Sequence, residues 1–286
     1  ELDQRDGHGT HRFLEAYYDI LHSAPPPDTG LMPVWVTVQI PADTEPGDYE
    51  GSLSIAGHVL PVRLTVSSWL CPKPDDFQTH VGIVPAHETL ALYYEKEFWS
   101  EAHWDLIEQE LKLLGKTGCD DLWVPALWDL GFKKGGLALL RFTKEGDKIV
   151  PDFSVLERYF KLFKTHVGDP NFIITVVWTD NPRGRRGQPP QHVVNVVVDG
   201  QEVTVPRVYA PGGDQIWKPA LDGLRERVIQ MGWDPENIVL GLAGDKRPNQ
   251  EEVAGFKNIG PYGKWAIWTH KKKKKGYREV EPGEPY

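Results

Sequence analysis

Phe172-Ile173-Ile174-Thr175-Val176-Val177-Trp178 decides the fold. A stretch with one hydroxyl and no charge makes a strand with no solvent face, as in a parallel sheet covered by helices on both sides. The same rhythm continues on either side of it. Residues 121–127 and 238–242 read as strands of the same kind, residues 78–84 as a strand before them and residues 265–269 as a strand after them. Amphipathic segments lie between. Residues 97–116 are apolar at Phe98, Leu106, Ile107, Leu111 and Leu114, and residues 153–166 at Leu156, Tyr159, Phe160 and Phe163; residues 214–231 and 249–259 are also read as helices. One hairpin interrupts the alternation: residues 193–198 and 203–208, with Asp199-Gly200 as a strong turn signal. Strands alternating with helices predict a parallel α/β domain, either a barrel or an open sheet.

Residues 31–70 have a different texture. Residues 34–40, 49–55 and 59–66 read as strands, with a turn cluster around Pro46-Gly47 and a tight turn at Gly57-His58. Residues 1–30 are polar and close on Pro25-Pro26-Pro27, and Tyr17, Tyr18 and Ile20 suit an extended segment there. Pro72-Lys73-Pro74 reads as a linker. The expected organisation is therefore multidomain, β plus α/β: a partial β-sandwich over residues 1–74, then a parallel (β/α)-barrel domain over residues 75–286. About five of the eight strands of a closed barrel are present. Beyond Thr269 the chain offers a lysine run and Glu281-Pro-Gly-Glu-Pro-Tyr286 in place of further strand–helix units.

Composition narrows the function. The 286 residues carry 32 Lys and Arg against 41 Asp and Glu, a net charge of −9, which argues against a general binder of nucleic acid or anionic membranes. No run of about 18 apolar residues marks a membrane span. Cys71 and Cys119 allow at most one disulfide, so the fold does not rest on a disulfide framework. Eleven Trp against two Met favours flat aromatic surfaces, as sugar binders offer, although Trp is also a large core residue. The chain opens on Glu1-Leu2-Asp3, without Met or a signal-like apolar stretch, and is expected to be processed or a fragment.

Several local patterns carry less than they suggest. Gly7-His8-Gly9-Thr10-His11 matches the histidine motif of subtilisin-like proteases, but no Gly-Thr-Ser accompanies it. Gly115-Lys116-Thr117 resembles the end of a phosphate loop, yet Glu110 stands where the first glycine belongs, and the segment follows a helix. His8, His11 and His22 with Asp3 and Asp6 lack a diagnostic metal spacing. Lys271 to Lys275 reads as a solvated loop.

In parallel α/β folds the reactive groups sit at the C-terminal ends of the strands. Those ends read Pro85 and His87; Trp128-Asp129; Trp178-Thr179-Asp180; Leu240 to Arg247; and Trp268-Thr269-His270. Three of these five ends place a Trp beside an acid or a His. That combination suits a sugar, whose C–H face packs on an indole while its hydroxyls seek carboxylates and imidazoles. Cleaving a glycosidic bond also needs a proton donor and an anion to meet the oxocarbenium-like charge. Asp129, Asp180 and Asp245 are candidate acids; the alternative for each is capping the helix that follows. Asp245 follows a strand with no other polar residue from Ile238 onward, which favours a site role. The expected sugar contacts are Trp128, Trp178, Asp180, Asp245, Trp268 and His270.

Three blocks of sequence resemble the family 123 glycoside hydrolases in their N-terminal part: Pro33-Val-Trp-Val-Thr-Val-Gln-Ile-Pro41, Pro46-Gly-Asp-Tyr-Glu-Gly51 and Leu60-Pro-Val-Arg-Leu-Thr-Val66. Asn237-Ile-Val-Leu-Gly-Leu-Ala-Gly-Asp245 and Gly263-Lys-Trp-Ala-Ile-Trp-Thr-His270 resemble the fourth and fifth barrel strands, so the likeness runs over roughly residues 12–270. It implies a β-sandwich followed by a (β/α)8 barrel, a secreted or periplasmic location, and retaining exo-hydrolysis of β-linked N-acetylgalactosamine. In that mechanism the substrate's acetamido oxygen attacks the anomeric carbon. An Asp at the end of the fourth strand polarises the acetamido group, and the adjacent Glu is the general acid. No cofactor and no metal are expected.

Two departures matter. The Asp falls on Asp245, but Lys246 follows in place of Glu. An ammonium with a pKa of about 10.4 is a poor proton donor at neutral pH unless burial depresses it. Glu251 and Glu252 lie in the next helix, where a cap or solvent-face role is more natural. The chain also covers only part of a barrel, so a second chain or a missing C-terminal segment is expected to complete it. These departures keep open a second expectation: a degenerate barrel that binds glycan or serves as a structural part of an assembly.

Overall fold

The structure is a computed structural model. It describes residues 2–6, 16–21, 34–128, 138–178, 192–242, 248–266 and 278–279. The chain divides into two compact units, Glu1–Cys71 and Pro72–Tyr286.

The first unit contains two antiparallel ribbons. Strands β1 (Leu2–Asp6) and β2 (Ala16–Leu21) pair with one irregularity, and β3 (Gly47–Ile55) and β4 (His58–Val66) pair in unbroken register from Gly47↔Val66 to Ile55↔His58. The β3–β4 turn is Ala56-Gly57, not Gly57-His58. Both residues have positive φ, 49° and 81°, the sense that matches the twist of the strands it joins. Residues 34–40, expected as a strand, have no ladder partner among the described residues. Trp35, at 79% exposed, shows how little covers them, and a β pattern without a partner forms no strand.

The second unit alternates strands and helices. A 3-10 turn at Pro74–Asp76 leads to Val81, which forms a single parallel bridge with Cys119; this bridge is all that appears of the strand expected at residues 78–84. Then come α1 (His87–Tyr93), α2 (Glu101–Leu114), β5 (Asp121–Pro125), β6 (Arg141–Glu145), β7 (Lys148–Asp152), α3 (Ser154–His166) and β8 (Phe172–Trp178). β9 (Val193–Val198), β10 (Gln201–Pro206), α4 (Gly213–Gln230), β11 (Ile238–Leu242), α5 (Gln250–Ile259), β12 (Lys264–Trp265) and β13 (Arg278–Glu279) complete it. The main sheet has the order β13-β12-β11-β8-β5; β5, β8, β11 and β12 run parallel, and β13 is an antiparallel edge.

Strand β8 occupies the interior of that sheet, as its apolar sequence requires. Ile173, Ile174, Thr175, Val176 and Val177 are all buried. Helices cover the sheet with the faces their periodicity provides: Trp104, Ile107 and Leu111 from α2, Leu156, Tyr159, Phe160 and Phe163 from α3, Leu221 and Leu224 from α4, and Val253 and Phe256 from α5. Ser100 caps α2 by accepting from the His103 N–H at 3.3 Å.

A second sheet has the order β10-β9-β6-β7. Its β9–β10 hairpin turns on Asp199-Gly200 as expected, whereas β6 and β7 form where the sequence pattern marks no strand. Both of its hairpins are insertions between a main-sheet strand and the next helix: β6–β7 follows β5, and β9–β10 follows β8. They therefore arise from the C-terminal ends of those strands.

Candidate functional site

The tips of the parallel strands lie side by side. The Pro125 carbonyl at the end of β5 accepts from the Leu139 and Leu140 N–H groups at 2.9 and 3.2 Å, which ties the chain entering the β6–β7 hairpin back to the strand. The Ala126 N–H donates to the Val176 carbonyl of β8 at 3.0 Å, and the Trp128 N–H donates to the Asn195 carbonyl of β9 at 2.8 Å. At the other flank of β8, Trp178 pairs with Leu242, the last residue of β11. The Ala266 N–H donates to the Leu240 carbonyl at 2.8 Å, which extends the row to the segment after β12.

Of the expected site residues, Trp128 is half-buried at the tip of β5, and Trp178 ends β8 with its backbone beside Leu242. Asp180, Asp245, Trp268 and His270 lie outside the described residues, as do Asp129 and Lys246.

A buried charged pair, Arg207 and Glu252, lies at this end of the sheet. Arg207 follows β10 and Glu252 sits in the first turn of α5; each side chain is only 3% exposed. The Arg207 Nη1–H donates to Glu252 Oε1. Glu252 Oε2 accepts from the Asn249 N–H at 2.9 Å, and Asn249 Oδ1 accepts from the Glu252 N–H at 2.8 Å, forming a reciprocal cap. Burial pushes the Glu252 carboxyl up to about 7, against the opposing pull of the Asn249 amide and the Arg207 guanidinium. Glu252 thus has the cap role expected of it, but it is buried instead of facing solvent. Asn249-x-x-Glu252 was the sequence signal for the cap; nothing in the sequence marked Arg207 as its partner. The pair borders a cavity of about 10 Å³, enough for one water, lined by Val177, Arg207, Val208, Trp217, Glu252 and Phe256. Arg207 Nε and Nη2 have no hydrogen-bond partner among the described residues.

The segment after the Val81 bridge leads to two buried, hydrogen-bonded histidines, His87 and His103. His87 Nδ1 lies 3.0 Å from Glu110 Oε2. The His87 carbonyl accepts from His103 Nε2–H at 2.8 Å, and His103 Nδ1 accepts from the Trp99 N–H at 2.9 Å. Those two contacts assign the neutral Nε2–H tautomer to His103, and burial holds its pKa below the ordinary histidine value. The Cys119 thiol is buried and pushed up by the same desolvation, an inert environment for sulfur. These groups tie elements together inside the core. Among the described residues no group of three His, Cys, Asp or Glu could hold a metal ion, and no helix is long and apolar enough to cross a membrane.

Comparison with known proteins sets this arrangement in a family. No curated protein matches the chain. Among solved structures, the chain is similar to a family 123 glycoside hydrolase from Clostridium perfringens, studied for glycolipid glycan hydrolysis, with a TM-score of 0.57 and 14% identity. The match covers 78% of this chain and 40% of that one, so the chain spans well under half the length of this structural relative. At that identity the likeness is one of fold. The model of the glycoside hydrolase 123 catalytic domain matches residues 86–259, which include the tips of β5, β8 and β11. With more than half of its length covered by that model, the chain belongs to glycoside hydrolase family 123.

Proposed function

We propose that the chain carries part of a retaining, substrate-assisted exo-β-N-acetylhexosaminidase acting on a glycan with a terminal N-acetylated amino sugar. The match to the family 123 catalytic domain over residues 86–259 carries this reading. The substrate acetamido oxygen attacks the anomeric carbon as the glycosidic bond breaks and the leaving oxygen takes one proton; water then attacks the same carbon, its bond to the acetamido oxygen breaks, and the water gives up a proton. Asp245 polarises the acetamido group, Trp128, Trp178 and Trp268 offer indole faces to the sugar, and Asp180 and His270 accept or donate to its hydroxyls. Lys246 stands where the family pattern has Glu, and this reading assigns the proton donor to no residue. The β5–β8–β11–β12 ladder supports reading the second unit as part of a (β/α)8 barrel, and the two ribbons of the first unit support reading it as part of a β-sandwich. A second chain or a further C-terminal segment would complete such a barrel. A secreted or periplasmic location rests on the family resemblance.

Hydrolysis of aryl β-N-acetylgalactosaminide and β-N-acetylglucosaminide tests the reading. Turnover by the native chain that is lost in Asp245→Asn supports it; turnover unaffected by that change refutes the role of Asp245. Lys246 favours one rival, a degenerate barrel that binds glycan without cleaving it or serves in an assembly. Binding on a glycan array without turnover would select the glycan-binding form.

A further inference from the structure

The connection from α1 to α2, residues 94–100, is held against its own backbone preference. Glu95 and Trp99 have φ of 53° and 63°, a left-handed conformation that bulky L residues rarely adopt and that the surrounding structure must impose. Helix α1 imposes the first: the Tyr94 N–H donates to the Leu90 carbonyl at 3.0 Å, and the Lys96 N–H to the Ala91 carbonyl at 2.8 Å. At Trp99 the backbone N–H donates instead to a side chain, His103 Nδ1, at 2.9 Å, and that acceptor exists only while the ring is neutral. His103 is buried, the Trp99 ring lies 5.4 Å from it, and the Trp99 and Trp104 rings lie 5.3 Å apart. Among the described residues, the titratable groups that act on His103 are His87 of α1 and Glu110 of its own helix; Tyr159 of α3 reaches it only through the His87 ring, 4.9 Å away. Burial disfavours the charged ring more strongly than the His87 carbonyl and the Glu110 carboxylate favour it.

We propose that His103 is a pH-sensitive latch on the α1–α2 connection: a proton taken from solvent onto Nδ1 replaces the acceptor of the Trp99 N–H with a second donor, and residues 97–99 leave their left-handed turn while α1 and α2 stay joined. The Nε2–H bond to the His87 carbonyl survives that proton, so the opening is confined to the connection. The latch is closed above pH 6.5 and opens as pH falls through the folded value, which lies lower. Opening moves the Trp99 ring off Trp104. The device does not depend on the assignment of the glycan site.

Amide hydrogen exchange of the native chain, resolved at Trp99 and corrected for the intrinsic effect of pH, tests the latch. From about pH 7.5 to about pH 4.5 the Trp99 amide is expected to lose protection about 10-fold or more, while the amides of β8 keep theirs. His103→Asn keeps an acceptor, Oδ1, close to the place of Nδ1 but cannot titrate, so its Trp99 amide is expected to stay equally protected at both values. His103→Gln puts its amide at the place of Nε2 and takes this acceptor from the Trp99 N–H, so protection there is expected to be low at both. Protection at Trp99 in the native chain that does not change with pH, or that falls together with that of β8, overturns the proposal, as does a pH response that survives in His103→Asn. If neither variant folds, NMR titration of the native chain decides. A His103 ring midpoint that coincides with the loss of Trp99 protection supports the latch, and a midpoint that does not coincide overturns it.

Discussion

The Trp128 N–H donates to the Asn195 carbonyl at 2.8 Å, joining the tip of β5 to the middle of β9. With the neighbouring bond from Ala126 to Val176, this holds the chain after β5 against two strands at once while leaving the indole half-buried. Both bonds use the backbone, so Trp128→Ala keeps them. The substitution is expected to weaken N-acetylgalactosamine binding about 10-fold, equivalent to about 1.4 kcal/mol, with little change in the melting temperature. Titration calorimetry and a thermal melt of the same sample check it; unchanged affinity would remove Trp128 from the site.

Glu252 gives stability a definite pH dependence. Its carboxyl titrates near 4.5 when unfolded and at about 7 in the folded chain. Between those values the folded state binds more protons, so stability is greatest below about 4.5, falls as pH rises, and levels off above about 7. At about 1.4 kcal/mol per unit, the fall is about 3 kcal/mol. Glu252→Gln should flatten this part of the profile in urea denaturation series; an unchanged slope would assign it to other groups.

His103 works in the opposite sense. Its folded pKa lies below the ordinary 6.5, so the unfolded chain takes up its proton first as pH falls. Its contribution is fully present above 6.5 and is lost as pH falls through the folded value. Protonation would also put a hydrogen on Nδ1, which accepts from the Trp99 N–H. NMR titration of the His103 ring should find it neutral and Nε2-protonated at pH 7; a charged ring at that pH would contradict the tautomer.

Trp217 links helices α4 and α5 to the second sheet. It is 1% exposed, meets Phe142 of β6 and Phe256 of α5 edge-on, and its Nε1–H donates to the Pro206 carbonyl at 3.0 Å. Trp217→Ala is expected to cost about 3 to 5 kcal/mol in the second unit. A loss below about 1 kcal/mol by denaturant titration would mean the site collapses around the change.

The parts of the fold that were legible in the sequence are those whose pattern lies within a short stretch. The β8 and β11 strands occupy the expected residues because continuous apolar runs have no other way to hide. Helix α3 follows from the spacing of Leu156, Tyr159, Phe160 and Phe163. Strands β6 and β7 escaped because Arg141-Phe-Thr-Lys-Glu145 and Lys148-Ile-Val-Pro-Asp152 are charged and carry a proline; pairing with each other and, through Phe142, with Val198 holds them. Residues 34–40 show the converse, a strand pattern with nothing to pair with. Trp128 and Trp178 stand at strand ends where the sequence pattern puts them, whereas Arg207 and Glu252 stand 45 residues apart and meet only through the fold.

The most direct test of the central claim is a crystal structure of the chain with N-acetylgalactosamine bound. The account predicts the sugar at the C-terminal tips of β5, β8 and β11, its acetamido group on Asp245 and its ring against an indole of Trp128, Trp178 or Trp268. A sugar seated away from those tips, or one whose acetamido group meets no carboxylate, would contradict it.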